Sequence, residues 1–303
     1  MKLAIIGATG LLGSTTAFTV GRLNILDEIK LISRNKNLLK HHIMDMEHAL
    51  LPNSKTKVTE GEYRDLSDCD IILITAGAPE RKVETRDEYL KDNLIVMESL
   101  IEKIKPYYNG AIIIIATNPI DVFNYYVWEK LDCDKSKTLG FSSNDSLRLK
   151  WAVSRITGKP YDELTGFCIG EHGVGQIPLM EQIKWKDEPL NLSLEERTKI
   201  QEELSTWFGK IQSLDCGRTS GWTSAVTLTE MIESIVLDLN KTIECSIVLD
   251  GEFGFKNVSI GVPVKLGENG ISDIDMPSLS ESQFIAFEGI IRKIQEQIKS
   301  IGF

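Results

Sequence analysis

Residues 1–34 constrain the fold more than any other stretch of the chain. Leu3–Ile6 is a short apolar run that meets the turn Gly7-Ala8-Thr9-Gly10-Leu11-Leu12-Gly13, and a helical pattern continues from it to Leu23. A second apolar run, Ile29–Ile32, ends in Ser33-Arg34. Strand, glycine turn, helix and strand in this order form the unit that sets a pyrophosphate on the N-terminus of a helix. One glycine permits the sharp turn, another lets the backbone approach the phosphates, and Gly13 lets the helix lie close to the strand. The spacing is G-x-x-G-x-x-G, not the commoner G-x-G-x-x-G, and its position between a strand and a helix is what marks it as a phosphate turn. One basic residue precedes the apolar run and glycines interrupt it, so it does not read as a signal peptide.

At 303 residues the chain is long enough for two domains with substantial cores. No apolar stretch approaches the length of a membrane span. The net charge of −10 argues against nucleic acid or an anionic membrane as a partner. Cysteines 69, 133, 168, 216 and 245 are scattered, odd in number and without C-x-x-C pairs. That pattern fits reduced thiols in a cytoplasmic protein with no zinc cluster, and no metal site is expected.

Continuous apolar runs recur at Ile71–Ala76 and Ala111–Ala116. Unbroken runs of this kind suit parallel strands buried on both faces. Helical patterns lie between them, at Leu38–Leu50 and Asp87–Lys105, with Pro106 closing the second. The fold class is therefore α/β: a doubly wound parallel (Rossmann) sheet over residues 1–140, then an α+β catalytic domain over 141–303. In the second half, helices are expected at Ser146–Ile156, Ser193–Leu214, Thr223–Asn240 and Glu281–Ile301. A strand is expected at Phe167–Ile169. A hairpin joins Ser246–Leu249 to Val258–Val264 through Asp250–Gly254.

His41, His42 and His48 share one predicted helix and read as solvated. His172 differs, because Gly170-Glu171-His172-Gly173 follows a buried strand, where a loop can present an imidazole at a cleft. In Asn144-Asp145-Ser146-Leu147-Arg148, Asp145 and Arg148 are neighbours on one helix face. A carboxylate can fix the tautomer of His172, and a guanidinium can hold a substrate carboxylate through two parallel hydrogen bonds. Taken alone, the same pair suits a helix cap and a solvated arginine. Thr117-Asn118-Pro119 closes the strand Ala111–Ala116 and so aims Asn118 at the ligand crevice. Pro119 also suits the first turn of the next helix. After Ala76-Gly77-Ala78-Pro79 comes the polar stretch Glu80–Arg86, which reads as a lid.

The chain resembles the lactate/malate dehydrogenase family over nearly its whole length. The resemblance is carried, in family order, by G-A-T-G-L-L-G (7–13), T-A-G-A-P (75–79), T-R (85–86), T-N-P-I-D (117–121), N-D-S-L-R (144–148), G-E-H-G (170–173) and I-G-V-P-V (260–264). It is nearest the NADP-accepting, archaeal-type malate dehydrogenase branch. It implies hydride transfer between a nicotinamide and a 2-hydroxy acid, most simply malate/oxaloacetate, with lactate or another 2-hydroxy acid as the alternative. His172 is then the acid/base, Asp145 its partner, Arg148 the anchor for the substrate carboxylate, and Arg86 the lid residue that polarises the carbonyl. Asn118 bonds near the nicotinamide and carbonyl, and Ser220 lines the substrate pocket. Gly7, Thr9, Gly10, Leu11, Leu12, Gly13, Ser33, Arg34 and Asn118 form the cofactor site. Relatives being dimers or tetramers, a homodimer or homotetramer is implied.

Four departures from the family pattern bear on activity. Ser33-Arg34 stands where an acid would grip the adenine ribose. This removes repulsion of a 2′-phosphate and adds a counter-charge, assisted by Lys36, so NADP is expected to be preferred with NAD still accepted. The lid position that selects substrate falls on Glu80, with Arg81 beside it. A carboxylate facing the second carboxylate of oxaloacetate would cost roughly 4 kcal/mol at close range. Arg81 is therefore the residue expected to face a dicarboxylate. Val174 follows Gly173 where many relatives have aspartate, and the stretch Gly140–Asp145 is one residue shorter than usual.

Two competing readings follow from the same residues. G-A-T-G-x-x-G also opens short-chain reductases that use a Tyr-x-x-x-Lys pair, and Tyr126 and Lys130 have that spacing. The serine which that chemistry needs is missing from the strand before, so Tyr126 is expected to be packing. The other reading is a non-catalytic dinucleotide sensor, suggested by the departures at Glu80 and Val174.

Overall fold

The computed structural model describes residues 1–78, 86–173, 175–216 and 220–303, with the side chains of 86–88 excluded. Its first half is built from β1 (Lys2–Ile6), α1 (Leu11–Arg22), β2 (Glu28–Ile32), α2 (Lys36–Leu50), β3 (Lys57–Glu60) and β4 (Ile71–Ile74). It continues with α3 (Arg86–Ile104), β5 (Ile112–Ile115), α4 (Ile120–Leu131) and β6 (Thr138–Phe141). These six strands pair in the order β3-β2-β1-β4-β5-β6, all parallel. This is the doubly wound arrangement, whose order reverses between β1 and β4 and opens a crevice beyond their carboxyl ends. Every residue of β4 and β5 is buried, which explains why both read as unbroken apolar runs.

The second half contains α5 (Asn144–Thr157), β7 (Leu164–Thr165), β8 (Cys168–Gly170), β9 (Gln176–Pro178), β10 (Lys184–Trp185) and β11 (Glu188–Pro189). After these come α6 (Leu194–Ser213), α7 (Gly221–Val236), β12 (Lys241–Asp250), β13 (Lys256–Gly267), β14 (Gly270–Ile274) and α8 (Glu281–Ser300). β6 pairs in parallel with β5 and antiparallel with β12, so the sheet runs on through β12-β13-β8-β9. The seam is tight because Gly140 has no side chain; a Cβ there would stand 2.6 Å from Ser246 Cβ. α7 closes against α1, where Gly221 makes room for Leu11 and Thr19 Oγ1 bonds Thr229 Oγ1 at 2.8 Å. A second apolar core, including Leu149, Val153, Ile183, Ile200 and Leu204, joins α5 to α6 and the small sheet β11-β10-β7.

Three expectations need correction. The helix expected at Thr223–Asn240 spans Gly221–Val236, because Asp238 and Asn240 take left-handed φ of 49° and 50° and turn the chain into β12. Pro119 is the N-cap residue of α4, not a residue of its first turn, and its peptide bond with Asn118 is cis. The expected strand Phe167–Ile169 lies one residue later, at Cys168–Gly170. β3 and β14 were hidden in polar, mixed sequence, and the two-residue strands of the small sheet are too short to show a period.

Candidate active site

At the crevice, Gly7 has φ +95°, and a Cβ there would stand 2.6 Å from the backbone nitrogen of Ala76. A Cβ at Gly13 would stand 2.7 Å from the Gly7 carbonyl and 2.8 Å from Thr75 Oγ1. Glycine at both positions lets α1 start directly beyond β1. Gly10 is the helix N-cap, with no side-chain cap and no acid in the first turn, so the amides of Leu11, Leu12 and Gly13 are open to an anion. A pyrophosphate fits this cradle. At the end of β2, Ser33 Oγ bonds Thr9 Oγ1 at 2.7 Å, which ties the strand end to the glycine turn. Arg34 is exposed and has no ion-pair partner among the described residues. Lys36, expected to assist it, instead pairs with Glu60 at 2.7 Å.

The loops after β4 and β5 are held by a residue that sequence reasoning missed. Asn93 of α3 is buried; its Oδ1 accepts from the Ala78 amide at 2.6 Å and its Nδ2 donates to the Asn118 carbonyl at 2.8 Å. Thr117 Oγ1 adds a bond to the Ala76 carbonyl at 2.8 Å. The side chain of Asn118 is exposed beyond the strand end.

His172 lies just past β8. Its Nδ1 is 2.9 Å from Asp145 Oδ2, which also accepts from the Gly173 amide at 3.0 Å. A carboxylate can only accept, so Nδ1 carries the proton and Nε2 is the free nitrogen. The His172 amide donates to Asp121 Oδ2 at 2.9 Å, and Asp121 Oδ1 accepts from Ser246 Oγ at 2.5 Å. One loop is thereby gripped by two carboxylates from two helices. On α5, Arg148 reaches Asp145 Oδ1 at 3.2 Å and Ser220 Oγ at 3.3 Å, so Ser220 does stand beside the guanidinium. Arg148 Nε is buried without a partner among the described residues, and the guanidinium lies 5.9 Å from the Trp207 ring centre.

The electrostatics follow from burial. Side-chain exposure is 13 % at His172 and 1 % at Asp145. Desolvation works against the His172 imidazolium, but the Asp145 charge, its hydrogen bond and the Asp121 charge outweigh it, and the pKa rises. Burial pushes Asp121 up to about 6, although bonds from Ser246 and the His172 amide pull against it. Glu171 is buried beside the histidine, and Lys293 of α8 donates to its Oε1 and Oε2 at 3.0 and 2.9 Å.

The fold thus brings four of the candidate residues, His172, Asp145, Arg148 and Ser220, together. Glu80, Arg81, Val174 and the side chain of Arg86 lie outside the described residues. Asp121 and Glu171 sit inside the T-N-P-I-D and G-E-H-G motifs, but neither they nor Asn93 carries a local sequence signal for these contacts. Tyr126 is buried and packs edge-on against Phe303 at 5.6 Å. Burial raises its phenol, the opposite of what a Tyr–Lys acid/base needs. His41 and His48 are exposed on α2, and no metal-binding cluster occurs among the described residues.

Comparison with known proteins gives a consistent result. The sequence pattern of the lactate/malate dehydrogenase NAD binding domain matches residues 1–140, and that of the lactate/malate dehydrogenase alpha/beta C-terminal domain matches 143–302. The chain is 32 % identical to a malate dehydrogenase of Aliarcobacter butzleri over 301 residues, covering 98 % of this chain and 96 % of that protein. It is 27 % identical to a malate dehydrogenase of Haloferax volcanii, covering 99 % of each. The crystal structure of Cryptosporidium parvum malate dehydrogenase superposes with a TM-score of 0.91 at 28 % identity, covering 99 % of this chain and 98 % of that one.

Proposed function

The chain belongs to the lactate/malate dehydrogenase family, and on that footing we propose that it transfers a hydride between a nicotinamide cofactor and malate or oxaloacetate. The observation that carries the mechanism is the pair formed by His172 Nδ1 and Asp145 Oδ2, 2.9 Å apart beside Arg148. Residues 1–140 are assigned to the cofactor and 141–303 to the substrate. When bound, the nicotinamide supplies or accepts the hydride at the carbon bearing the hydroxyl or carbonyl.

In the oxidising direction, His172 Nε2 takes the hydroxyl proton as the hydride leaves the adjacent carbon. Asp145 holds the ring in one tautomer and stabilises the imidazolium that forms. In reduction the imidazolium returns that proton to the carbonyl oxygen. Arg148 fixes the substrate carboxylate, and Ser220 steadies the guanidinium. Family likeness assigns Arg86 to the developing charge on the carbonyl oxygen and Asn118 to the nicotinamide and carbonyl; it places Glu80 at the position facing the second carboxylate, and charge repulsion there favours the neighbouring Arg81 in that role. The first turn of α1 would hold the pyrophosphate.

Arg34, unpaired among the described residues, and the Thr9–Ser33 bond support a preference for NADP over NAD, because the strand end offers a cation and hydroxyls where an acid would repel the 2′-phosphate. The buried cysteines 69, 133, 168 and 245 form no disulfide, which supports a cytoplasmic setting, and no helix among the described residues is long and apolar enough to cross a membrane. Trp222 and Val226, one turn apart on α7, are 65 % and 55 % exposed, which supports a homodimer or homotetramer.

The test is a panel of 2-oxo acids with NADH and NADPH on wild type, Glu80→Gln and Arg81→Gln. Oxaloacetate should be the best substrate, and only Arg81→Gln should lose it. A protein that binds NADPH yet oxidises none with any 2-oxo acid is a dinucleotide sensor instead.

A further inference from the structure

We propose that Glu244 is a positioning residue of the hydride-transfer site, which as a neutral carboxylic acid clamps the first turn of α5 to β8 and so holds Asp145 and His172 together. The proposal rests on the hydride-transfer reading above. Glu244 interrupts an otherwise buried, mostly apolar run in β12, Ile243 to Leu249, and is itself 2 % exposed. A carboxylate at such a place is costly unless it is paired with a cation or carries a proton. No cation is bonded to it among the described residues. Its Oε2 instead accepts from the Ser146 amide at 3.1 Å and from Ser146 Oγ.

Ser146 is what makes this contact matter. It follows Asp145 directly in α5, and its Oγ also accepts from the Cys168 amide at 2.9 Å, at the start of the strand that delivers His172. Glu244, Ser146 and Cys168 therefore link three elements: β12, the helix carrying Asp145 and Arg148, and the strand before His172. Because Oε2 already accepts two bonds, the proton belongs on Oε1. A Cβ at Gly261 would stand 3.3 Å from Glu244 Oε1 and 3.2 Å from Ser142 Oγ, so both atoms line one niche. Ser142 Oγ is buried there without a hydrogen-bond partner among the described residues. The groups that face Glu244 electrostatically are Asp145 of α5 and Asp121 of α4, with the Cys168 thiol of β8 and the adjoining Cys245 thiol of β12. Burial and these two acids push the Glu244 carboxyl well above its usual range. A second full negative charge behind Asp145 would also raise the proton affinity of His172, which the neutral acid avoids.

The experiment compares wild type, Glu244→Leu and Glu244→Gln by steady-state kinetics over pH and by infrared spectroscopy. Glu244→Leu cuts the clamp and should lower kcat about tenfold or more, with a smaller change in the KM for oxaloacetate. Glu244→Gln keeps the two acceptor bonds and should restore kcat while leaving the His172-governed limb of the pH profile in place. In wild type near neutral pH, a protonated-carboxyl C=O band should be present and should be absent in Glu244→Gln. Wild-type kcat in Glu244→Leu, a displaced His172 limb in Glu244→Gln, or no band removed by that substitution would each overturn the proposal. If Glu244→Leu does not fold, the infrared comparison decides. That comparison needs no turnover, so it remains distinct from a failure of wild type to use any 2-oxo acid, which would instead sink the hydride-transfer reading.

Discussion

Asp145 Oδ2 holds His172 by its ring and by the residue after it: it accepts from His172 Nδ1 at 2.9 Å and from the Gly173 amide at 3.0 Å. The carboxylate thus fixes both the ring and the loop that carries it. Asp145→Asn should disturb the tautomer while leaving the loop bond, and kcat should fall by roughly 100- to 10,000-fold. His172→Asn should abolish turnover, whereas Tyr126→Phe should leave it largely intact. Steady-state rates with oxaloacetate and NADH or NADPH check all three, and the reverse pattern would move the acid/base to Tyr126.

The raised His172 pKa gives a signed pH dependence. Reduction needs the imidazolium, so kcat/KM for oxaloacetate should hold at low pH and fall as pH rises through a value above 6.5. Oxidation of malate should show the mirror image. In Asp145→Asn the limb should move to lower pH. For stability, the folded pKa lies above the unfolded one, so the contribution of the pair is full below the unfolded value and is lost as pH rises through the folded value. Asp121 has the same sign, and its contribution fades between its usual 3.8 and about 6. Thermal melts of wild type and Asp121→Asn across that range should converge at acid pH and separate above it.

Arg148 is bonded to Asp145 and Ser220 but keeps a buried, unpartnered Nε. Arg148→Lys loses the planar fork and should cost roughly 100-fold in kcat/KM, mostly through KM. Ser220→Ala should cost less, about two- to tenfold, since one bond of 3.3 Å is removed. A lysine variant with wild-type KM would mean that the carboxylate binds elsewhere.

Arg34 is exposed and unpaired among the described residues, whereas Lys36 is engaged by Glu60. Arg34→Ala should therefore reduce the NADPH-to-NADH preference by about tenfold, the value of one hydrogen bond to a charged group. Lys36→Ala should alter it far less. The ratio of kcat/KM for the two cofactors is the measurement, and an unchanged ratio in Arg34→Ala removes that residue from the 2′-phosphate site.

Gly13 tests the cradle itself. Alanine there would place a Cβ 2.7 Å from the Gly7 carbonyl, a backbone atom that cannot swing away. Gly13→Ala should weaken cofactor binding and destabilise the fold by about 1–3 kcal/mol. Cofactor titration and denaturant melts report the two effects separately.

The sequence by itself determined the alternation of the first half and the glycine turn, and it put His172, Asp145 and Arg148 forward as candidates. Strands buried on both faces must be apolar throughout, glycine at Gly7 and Gly13 is demanded by backbone contact, and Asp145 and Arg148 share a helix face by spacing alone. Only the tertiary structure decided what surrounds them. Asp121, Asn93 and Glu244 come from α4, α3 and β12, and together they reach residues between 15 and 125 positions away in the chain. No local period encodes such a meeting, since it depends on how β6 joins the two halves of the sheet and on which polar groups are then left to satisfy one another out of water.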